Sequence, residues 1–110
     1  MTPTKTEMTI FETTDPEGRT IRLSSSTWEH IRRRHREVKS VRMIRTAVET
    51  PDYIIQNESR KTLSYVQTTS LKLYFTVHAG MDAAYESGKV TTAHIARDLP
   101  KGESIWLRRD

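Results

Sequence analysis

The spacing of hydrophobic residues changes at Pro51 of the 110-residue chain from the period of a helix to a period of two. Before Pro51, two short β-prone runs at residues 8–13 and 19–23 flank the sequence Asp-Pro-Glu-Gly, which favours a tight turn. These two runs predict an N-terminal β-hairpin. After Pro51, hydrophobic residues recur at every second position, which is the spacing of strands whose two faces meet different surroundings.

Two helices are predicted between the hairpin and Pro51. Ser26 and Glu29 match a capping box, in which Ser26 is the N-cap of the first helix. Ser40 is the predicted N-cap of the second helix, which Pro51 ends. Mainly apolar residues recur in each helix at helical spacing and predict one buried face. In the first helix this face also holds a histidine and consists of Trp28, Ile31, His35 and Val38; in the second helix it consists of Val41, Ile44, Ala47 and Val48.

The residues after Pro51 predict an antiparallel meander. Its strands are expected at residues 53–56, 62–68, 71–78 and 89–96, with a short terminal strand at 105–107. The predicted fold is therefore α+β, a single domain over residues 1–110. An N-terminal β-hairpin and two helices pack on one face of a four-stranded antiparallel sheet, and the other face is free.

The strand predicted at residues 71–78 has the clearest alternation in the chain. Its apolar residues are expected to lie under the helices, and its polar residues on the free face: Lys72, Tyr74, Thr76 and His78. A lysine, a phenol, a hydroxyl and an imidazole on one face can hold a phosphate group. A solvated face without a function is the alternative interpretation.

Charge narrows the range of partners. The chain carries a formal net charge of +4, and residues 30–45 hold seven Arg and Lys residues against one acid, Glu37. A concentrated cluster of cations is typical of a surface that binds a polyanion such as nucleic acid. The chain has no cysteine, which excludes disulfides and thiolate metal sites. No apolar run approaches the length of a membrane span, so no membrane partner and a cytoplasmic location are expected.

The side chains that carry chemistry form a set that works without a metal. The sequence has no HExxH, GxxxxGK[ST], GxGxxG or GxSxG motif, and its carboxylates are scattered. The chain does contain four histidines and a group of arginines. These suit RNA cleavage by the substrate's own 2′-hydroxyl, which needs a base, an acid and fixed cations but no cofactor.

Each of these residues also has an interpretation without a function. His35 lies on the apolar face of the first helix, where a buried, hydrogen-bonded histidine is common. His30 is predicted on the other side of that helix, where it can be a surface residue. The arginines can be a solvated helix face. His94 alternates with Thr92, so either of the two can be in the core or in a site.

A resemblance to a known superfamily rests on four features of the chain. These are Trp28-x-His30-Ile31-x3-His35, a helix ending near Pro51-Asp52, a β-meander, and a late strand with Val90-Thr91-Thr92-Ala93. Over residues 20 to 108 the chain resembles the barnase–EndoU–colicin–RelE-like nucleases, above all their small phage-associated and toxin-associated branches. The resemblance implies helices on a four-stranded antiparallel sheet and cleavage of RNA without a metal. The late motif departs from the family by running into His94 and Ile95 rather than an aromatic residue.

The resemblance assigns roles to particular residues. The helical histidine of the family corresponds to His35 or to His30, and its strand hydroxyl corresponds to Thr91 or Thr92. The same chemistry needs a cation beside the reacting phosphate, for which Arg34 is the predicted residue. The residues predicted to bind the substrate are Arg32, Arg33, Lys72, Tyr74, His78 and His94.

The predicted function is a metal-independent endoribonuclease that acts as a toxin or a phage-associated effector. The partners implied are RNA, with tRNA and mRNA both open, and an antitoxin or other inhibitor protein. Two alternatives use the same cations without catalysis: a nucleic-acid-binding module, and a basic domain that docks an acidic protein. Only the convergence of a histidine and a strand hydroxyl beside the cations would distinguish the enzyme from these alternatives.

Overall fold

A computed structural model describes residues 8 to 109, so residues 1–7 and Asp110 of the predicted domain lie outside the described residues. The predicted hairpin and two helices are present as β1 (Thr9–Thr14), β2 (Thr20–Ser24), α1 (Ser25–Arg34) and α2 (Val41–Glu49). Five strands follow, with one 3-10 turn at Glu58–Arg60. They are β3 (Tyr53–Asn57), β4 (Thr62–Thr68), β5 (Tyr74–Met81), β6 (Ser87–Ala96) and β7 (Glu103–Leu107).

The prediction of a four-stranded antiparallel sheet is wrong. The seven strands form one mixed sheet in the order β1-β2-β6-β5-β4-β3-β7, in which β2 and β6 are parallel. The hairpin extends the sheet on one side because Thr20–Arg22 pair with Ser87–Lys89, and β7 extends it on the other by pairing with β3. Both pairings join segments far apart in the sequence. The alternation within each strand carries no information about such partners, so the sheet was predicted too small.

The helix caps agree with the sequence for one helix and differ for the other. Ser40 is the N-cap of α2, where its Oγ accepts a hydrogen bond from the Met43 N–H at 3.3 Å. The predicted capping box at Ser26 is wrong, because Ser24 caps α1 and accepts from the Thr27 N–H. Each of the three consecutive serines, Ser24 to Ser26, can act as an N-cap. Ser24 is the N-cap because β2 ends at this residue. No helix in residues 8–109 has the length and apolar run needed to cross a membrane.

Both helices pack on one face of the sheet, called here the helix face. Ile31 of α1 and Ile44 of α2 are fully buried in one cluster with Phe75 and Val77 of β5. The predicted assignment of β5 residues to the two faces is therefore correct at its centre. Trp28, predicted on the buried face of the first helix, and Leu73, an apolar residue of the strand predicted at 71–78, are only half-buried.

The start of β5 differs from the prediction. The strand begins at Tyr74 rather than at residue 71, because a closed turn occupies the preceding residues. Thr69 accepts the Lys72 N–H through its carbonyl and the Leu73 N–H through its Oγ1. Lys72 has a positive φ of 61°, and Leu71 is 77% exposed. Neither residue lies on the strand, so the prediction that Lys72 shares the free face of this strand with His78 is wrong.

A buried polar cluster connects the hairpin turn to the sheet. The Tyr65 hydroxyl donates to Asp15 Oδ2 at 2.7 Å, and Arg19 Nη1 lies 2.9 Å from the same oxygen. Burial, together with the hydrogen bond and the charge of Asp15, raises the pKa of Tyr65, so the phenol stays protonated. The cluster satisfies a carboxylate that is otherwise enclosed by the core. We therefore interpret Tyr65 as structural.

The second face of the sheet, called here the polar face, is partly covered. The chain from β6 to β7 must pass from the third strand of the sheet to the seventh. Pro100 and Lys101 of this connection line one cavity together with residues of β4, β5 and β6 on the polar face. The prediction of a free face is therefore wrong for this part of the sheet, because the connection covers it and encloses a cavity.

Candidate functional site

The strand register brings four polar side chains together on the polar face. Ser64 of β4 is opposite His78 of β5, and His78 is opposite Thr92 of β6. His94 is opposite Thr76, two pairs further along and therefore on the same face. Directly opposite residues in an antiparallel pair project from the same face, so these side chains are neighbours.

A β-bulge lies beside this group. The pairing of β5 with β6 shifts between His78 and Ala79, which leaves Thr91 as an extra residue. The exposed Thr91 hydroxyl donates to the His78 carbonyl at 3.2 Å. In a regular strand, the side chains of Thr91 and Thr92 would point to opposite faces. The bulge instead places both of them at the rim of the same site.

Two histidines and a serine form a continuous hydrogen-bonded chain. Ser64 Oγ lies 2.7 Å from His78 Nδ1, and His78 Nε2 lies 3.1 Å from His94 Nε2. The ring centroids of the two histidines are 5.1 Å apart. Two proton arrangements satisfy this chain. In the first, Ser64 donates to His78, and His78 donates to His94. In the second, His94 donates to His78, and His78 donates to Ser64. Interconversion of the two arrangements moves a proton along the chain.

His35 lies beside His94 at an open edge of the sheet, in ring contact with it but outside the hydrogen-bonded chain. In the described residues β2 covers only the start of β6, as far as Lys89, which leaves the rest of that edge of β6 open. Glu37 lies along this edge, where its Oε2 accepts the Ile95 N–H at 3.3 Å and is 3.7 Å from His35 Nδ1. The His35 ring centroid is consequently 5.7 Å from that of His94.

The protonation of these groups follows from their surroundings. Burial, together with the charge of His94, lowers the pKa of His78 to about 4, so His78 is neutral at pH 7. Burial would raise the pKa of Glu37. The backbone N–H groups of Glu37 and Ile95, and the charges of His35 and His94, outweigh that effect and lower it. A charged carboxylate therefore faces His35, and a neutral imidazole is enclosed behind His94.

A cavity of about 550 Å³ opens beside the histidine chain, and we call it the histidine cavity. Two cations, Arg60 and Lys101, contribute to its wall, and no carboxylate of the described residues lines it. Such a lining favours an anionic ligand. The lining residues are Asn57, Arg60, Thr62, Ser64, His78, Thr91, Thr92, His94, Pro100 and Lys101.

The structure brings together only part of the predicted site. Among the residues predicted to act on RNA, those that line the cavity or contact its lining are His35, His78, Thr91, Thr92 and His94. His30 and the arginines Arg32, Arg33 and Arg34 are exposed on α1 and do not line the cavity. Lys72 is in the turn before β5, and the half-buried Tyr74 is the first residue of that strand. The predicted roles of these residues at the reacting phosphate have no support from the geometry.

Several residues of the site were not predicted. Ser64 had a detectable signal, because it is a small polar residue inside the apolar run Leu63–Val66 and alternates onto the face of Thr62. Glu37 was noticed only as the one acid among the cations. Arg60 and Lys101 lie in a turn and a connection, whose position against the sheet is set by the topology alone.

Comparison of the chain with protein-family models, with curated proteins and with solved structures found no match. The resemblance to the barnase–EndoU–colicin–RelE-like nucleases therefore stays a prediction.

We expect His78 to make the protein less stable in acid. Its pKa of about 4 in the folded chain lies below the ordinary value of 6.5, so the unfolded chain takes up this proton first as the pH falls. The contribution of His78 to the free energy of unfolding is therefore complete above pH 6.5 and is lost as the pH falls towards 4. After an allowance for solvent screening of this half-buried group, the loss is about 2 kcal/mol.

Urea unfolding of the unmodified protein and of His78→Gln, each at pH 7 and pH 4.5, measures this contribution. The carboxylates Glu37, Glu49 and Asp82 also have lowered pKa values, so only the difference between the two proteins is informative. His78→Gln should lose less stability on acidification than the unmodified protein. His30→Gln should lose as much as the unmodified protein. Equal losses in all three proteins would show that His78 is not held in its neutral form by the fold.

Proposed function

We propose that this chain is a metal-independent endoribonuclease that cleaves RNA through attack of the substrate's 2′-hydroxyl. The observation that carries the proposal is the convergence of three imidazoles beside a cavity whose wall contains two cations. Such a reaction needs one group to accept the proton of the 2′-hydroxyl and another to donate a proton to the leaving 5′-oxygen. It also needs positive charge where the phosphorane forms.

His94 is the proposed general base. Its ring borders the histidine cavity, and its Nε2 is hydrogen-bonded to the neutral His78. His78 is in turn held by Ser64, so a proton accepted at His94 can be shared along the chain. His78 and Ser64 are thus positioning residues, since they act on the substrate through His94.

His35 is the proposed general acid. The carboxylate of Glu37, 3.7 Å from His35 Nδ1, can pair with the protonated ring. The ring centroids of His35 and His94 are 5.7 Å apart, so both imidazoles can reach one phosphodiester. This assignment retains His35 from the sequence prediction and replaces His30 with His94.

Arg60 and Lys101 are proposed to hold the phosphate in place of Arg34 and Lys72. Both line the histidine cavity, together with the hydroxyl-bearing Thr91 and Thr92. A volume of about 550 Å³ falls within the range of about 300–1,000 Å³ that is typical of ligand pockets. The cavity is large enough to receive a nucleotide and its phosphate.

The test is incubation of the purified chain with a labelled RNA in excess chelator. We expect cleavage to proceed and the products to end in a 2′,3′-cyclic phosphate, because the substrate's own hydroxyl is the nucleophile. An RNA with 2′-deoxyribose at the cut site is the matched control and should resist. Cleavage of that control at the same rate, or products without the cyclic phosphate, would contradict the mechanism.

A nucleic-acid-binding module without catalysis is the second candidate, and the exposed arginines of α1 favour it. Arg32, Arg33 and Arg34 are in the last turn of α1 and lie outside the cavity lining, so they can bind phosphates without any role in chemistry. Salt-dependent RNA binding without cleavage would support this candidate. A basic domain that docks an acidic protein would show no RNA affinity at all.

The biological setting we propose follows from the nuclease activity and the sequence resemblance. The chain would act as a toxin or a phage-associated effector in the cytoplasm, on tRNA or mRNA, and an inhibitor protein would restrain it. Expression of the unmodified chain should then arrest growth, and expression of His94→Ala should not.

A further inference from the structure

The two imidazole nitrogens that face each other in the histidine cavity have the separation of a pair of metal ligands. His78 Nε2 and His94 Nε2 are 3.1 Å apart. A tetrahedral Zn²⁺ with Zn–N bonds of about 2.0–2.1 Å places two ligand nitrogens about 3.3 Å apart, and a right angle at the ion places them about 2.9 Å apart. Both side chains can therefore reach one ion with little movement.

The surroundings of the pair are built as metal ligands require. Ser64 is only 3% exposed, and its Oγ is hydrogen-bonded to His78 Nδ1 at 2.7 Å. This hydrogen bond fixes the orientation of the His78 ring. A hydrogen bond to the second nitrogen of a ligating histidine is the usual support for such a ligand. The adjacent cavity leaves room for water molecules at the remaining coordination positions.

We propose that His78 and His94 form a binding site for a divalent transition-metal ion such as Zn²⁺, and that the bound ion inhibits the protein. Imidazole nitrogen selects ions such as Zn²⁺, Cu²⁺ and Ni²⁺ over Mg²⁺ and Ca²⁺, which prefer oxygen. In the described residues no group of three or more His, Cys, Asp and Glu is arranged around a metal position. The site is therefore an open two-histidine site of modest affinity.

The inhibition rests on the proposed function. The ion would occupy the place of the proton that His78 and His94 share, and each Nε2 would give its lone pair to the metal. His94 could then no longer accept the proton of the 2′-hydroxyl. Zinc would lower the rate of RNA cleavage, and a chelator would restore it.

Metal binding is tested without RNA, by calorimetric titration of Zn²⁺ into the full chain at pH 7.5. We expect binding at a ratio of one ion per chain, lost in His94→Gln and retained in His30→Gln, which removes an exposed histidine outside the cavity. Ser64→Ala should bind about tenfold more weakly, because it removes the support of His78. Equal affinity of the unmodified protein and His94→Gln would overturn the site.

A second measurement needs no substitution, so it does not depend on the folding of a variant. In the nuclear magnetic resonance spectrum of the unmodified protein, Zn²⁺ should shift the imidazole signals of His78 and His94 and leave those of His30 in place. Mg²⁺ at the same concentration should shift none of them. A shift of the His30 signals ahead of the other two would overturn the site.

The inhibition is tested separately, with the cleavage assay in the presence of Zn²⁺. If the metal binds at the pair and cleavage is lost until the chelator restores it, both parts of the proposal are supported. Metal bound at the pair with cleavage unchanged overturns the inhibition and leaves the site and the nuclease in place. Metal bound by a protein that cleaves no RNA overturns the proposed function and leaves the site.

Discussion

Replacing His94 with alanine is expected to lower the rate of RNA cleavage by a factor of about 10² to 10⁴, the usual loss when a general base is removed. His94 is the imidazole that both borders the histidine cavity and contacts the rings of His78 and His35. Its removal therefore disconnects the proton relay from the substrate. The measurement is the single-turnover rate on a labelled RNA at pH 7, with circular dichroism to confirm that the variant is folded.

The matched control is His30→Ala, which removes an imidazole that is exposed on α1 and does not line the cavity. We expect this variant to cleave at a rate close to that of the unmodified protein. Because His35 is the proposed general acid, His35→Ala should lose activity by a factor similar to that for His94→Ala. If His30→Ala lost activity and His94→Ala kept it, the site would lie on α1, as the sequence allowed, and the cavity would have another role.

The local elements of the fold were predictable because each carries its signal within a few residues. The Asp-Pro-Glu-Gly turn predicts the hairpin, Ser40 and Pro51 bound α2, and alternation predicts β4 at Thr62–Thr68. The sheet was not predictable from the same signals. The parallel contact of β2 with β6 and the addition of β7 to β3 depend on packing between distant segments, which periodicity does not encode.

The site was partly predictable for the same reason. Alternation placed His78 on the polar face, and the structure confirms that it lies opposite the helices. The contact with His94 depends on the register of β5 against β6, and the position of Thr91 depends on a bulge. His35 had been assigned to the apolar face of α1. It is instead the C-cap residue of that helix, and the approach of Glu37 to the open edge of β6 brings it to His94.

The second large effect is expected in the core, where Phe75→Ala should cost about 3–5 kcal/mol of the free energy of unfolding. Phe75 is 3% exposed and belongs to the cluster that joins both helices to β5. Its truncation removes apolar burial and leaves a cavity that the paired strands cannot close. For a domain whose total stability is about 5–15 kcal/mol, such a loss is a large fraction of the whole. Urea unfolding followed by far-ultraviolet circular dichroism measures it.

The neighbouring residue supplies a control on the opposite face of the same strand. Thr76 is 1% exposed, and its Oγ1 has no hydrogen-bond partner within the described residues. Thr76→Val keeps the shape and removes the unpaired hydroxyl, so it should stabilise the protein by about 1 kcal/mol. The two adjacent substitutions should therefore change stability in opposite directions. A Phe75→Ala loss below about 1 kcal/mol, small for removal of a buried aromatic ring, would mean that this face of β5 does not pack under the helices. The assignment of His78 to the polar face would then be wrong as well.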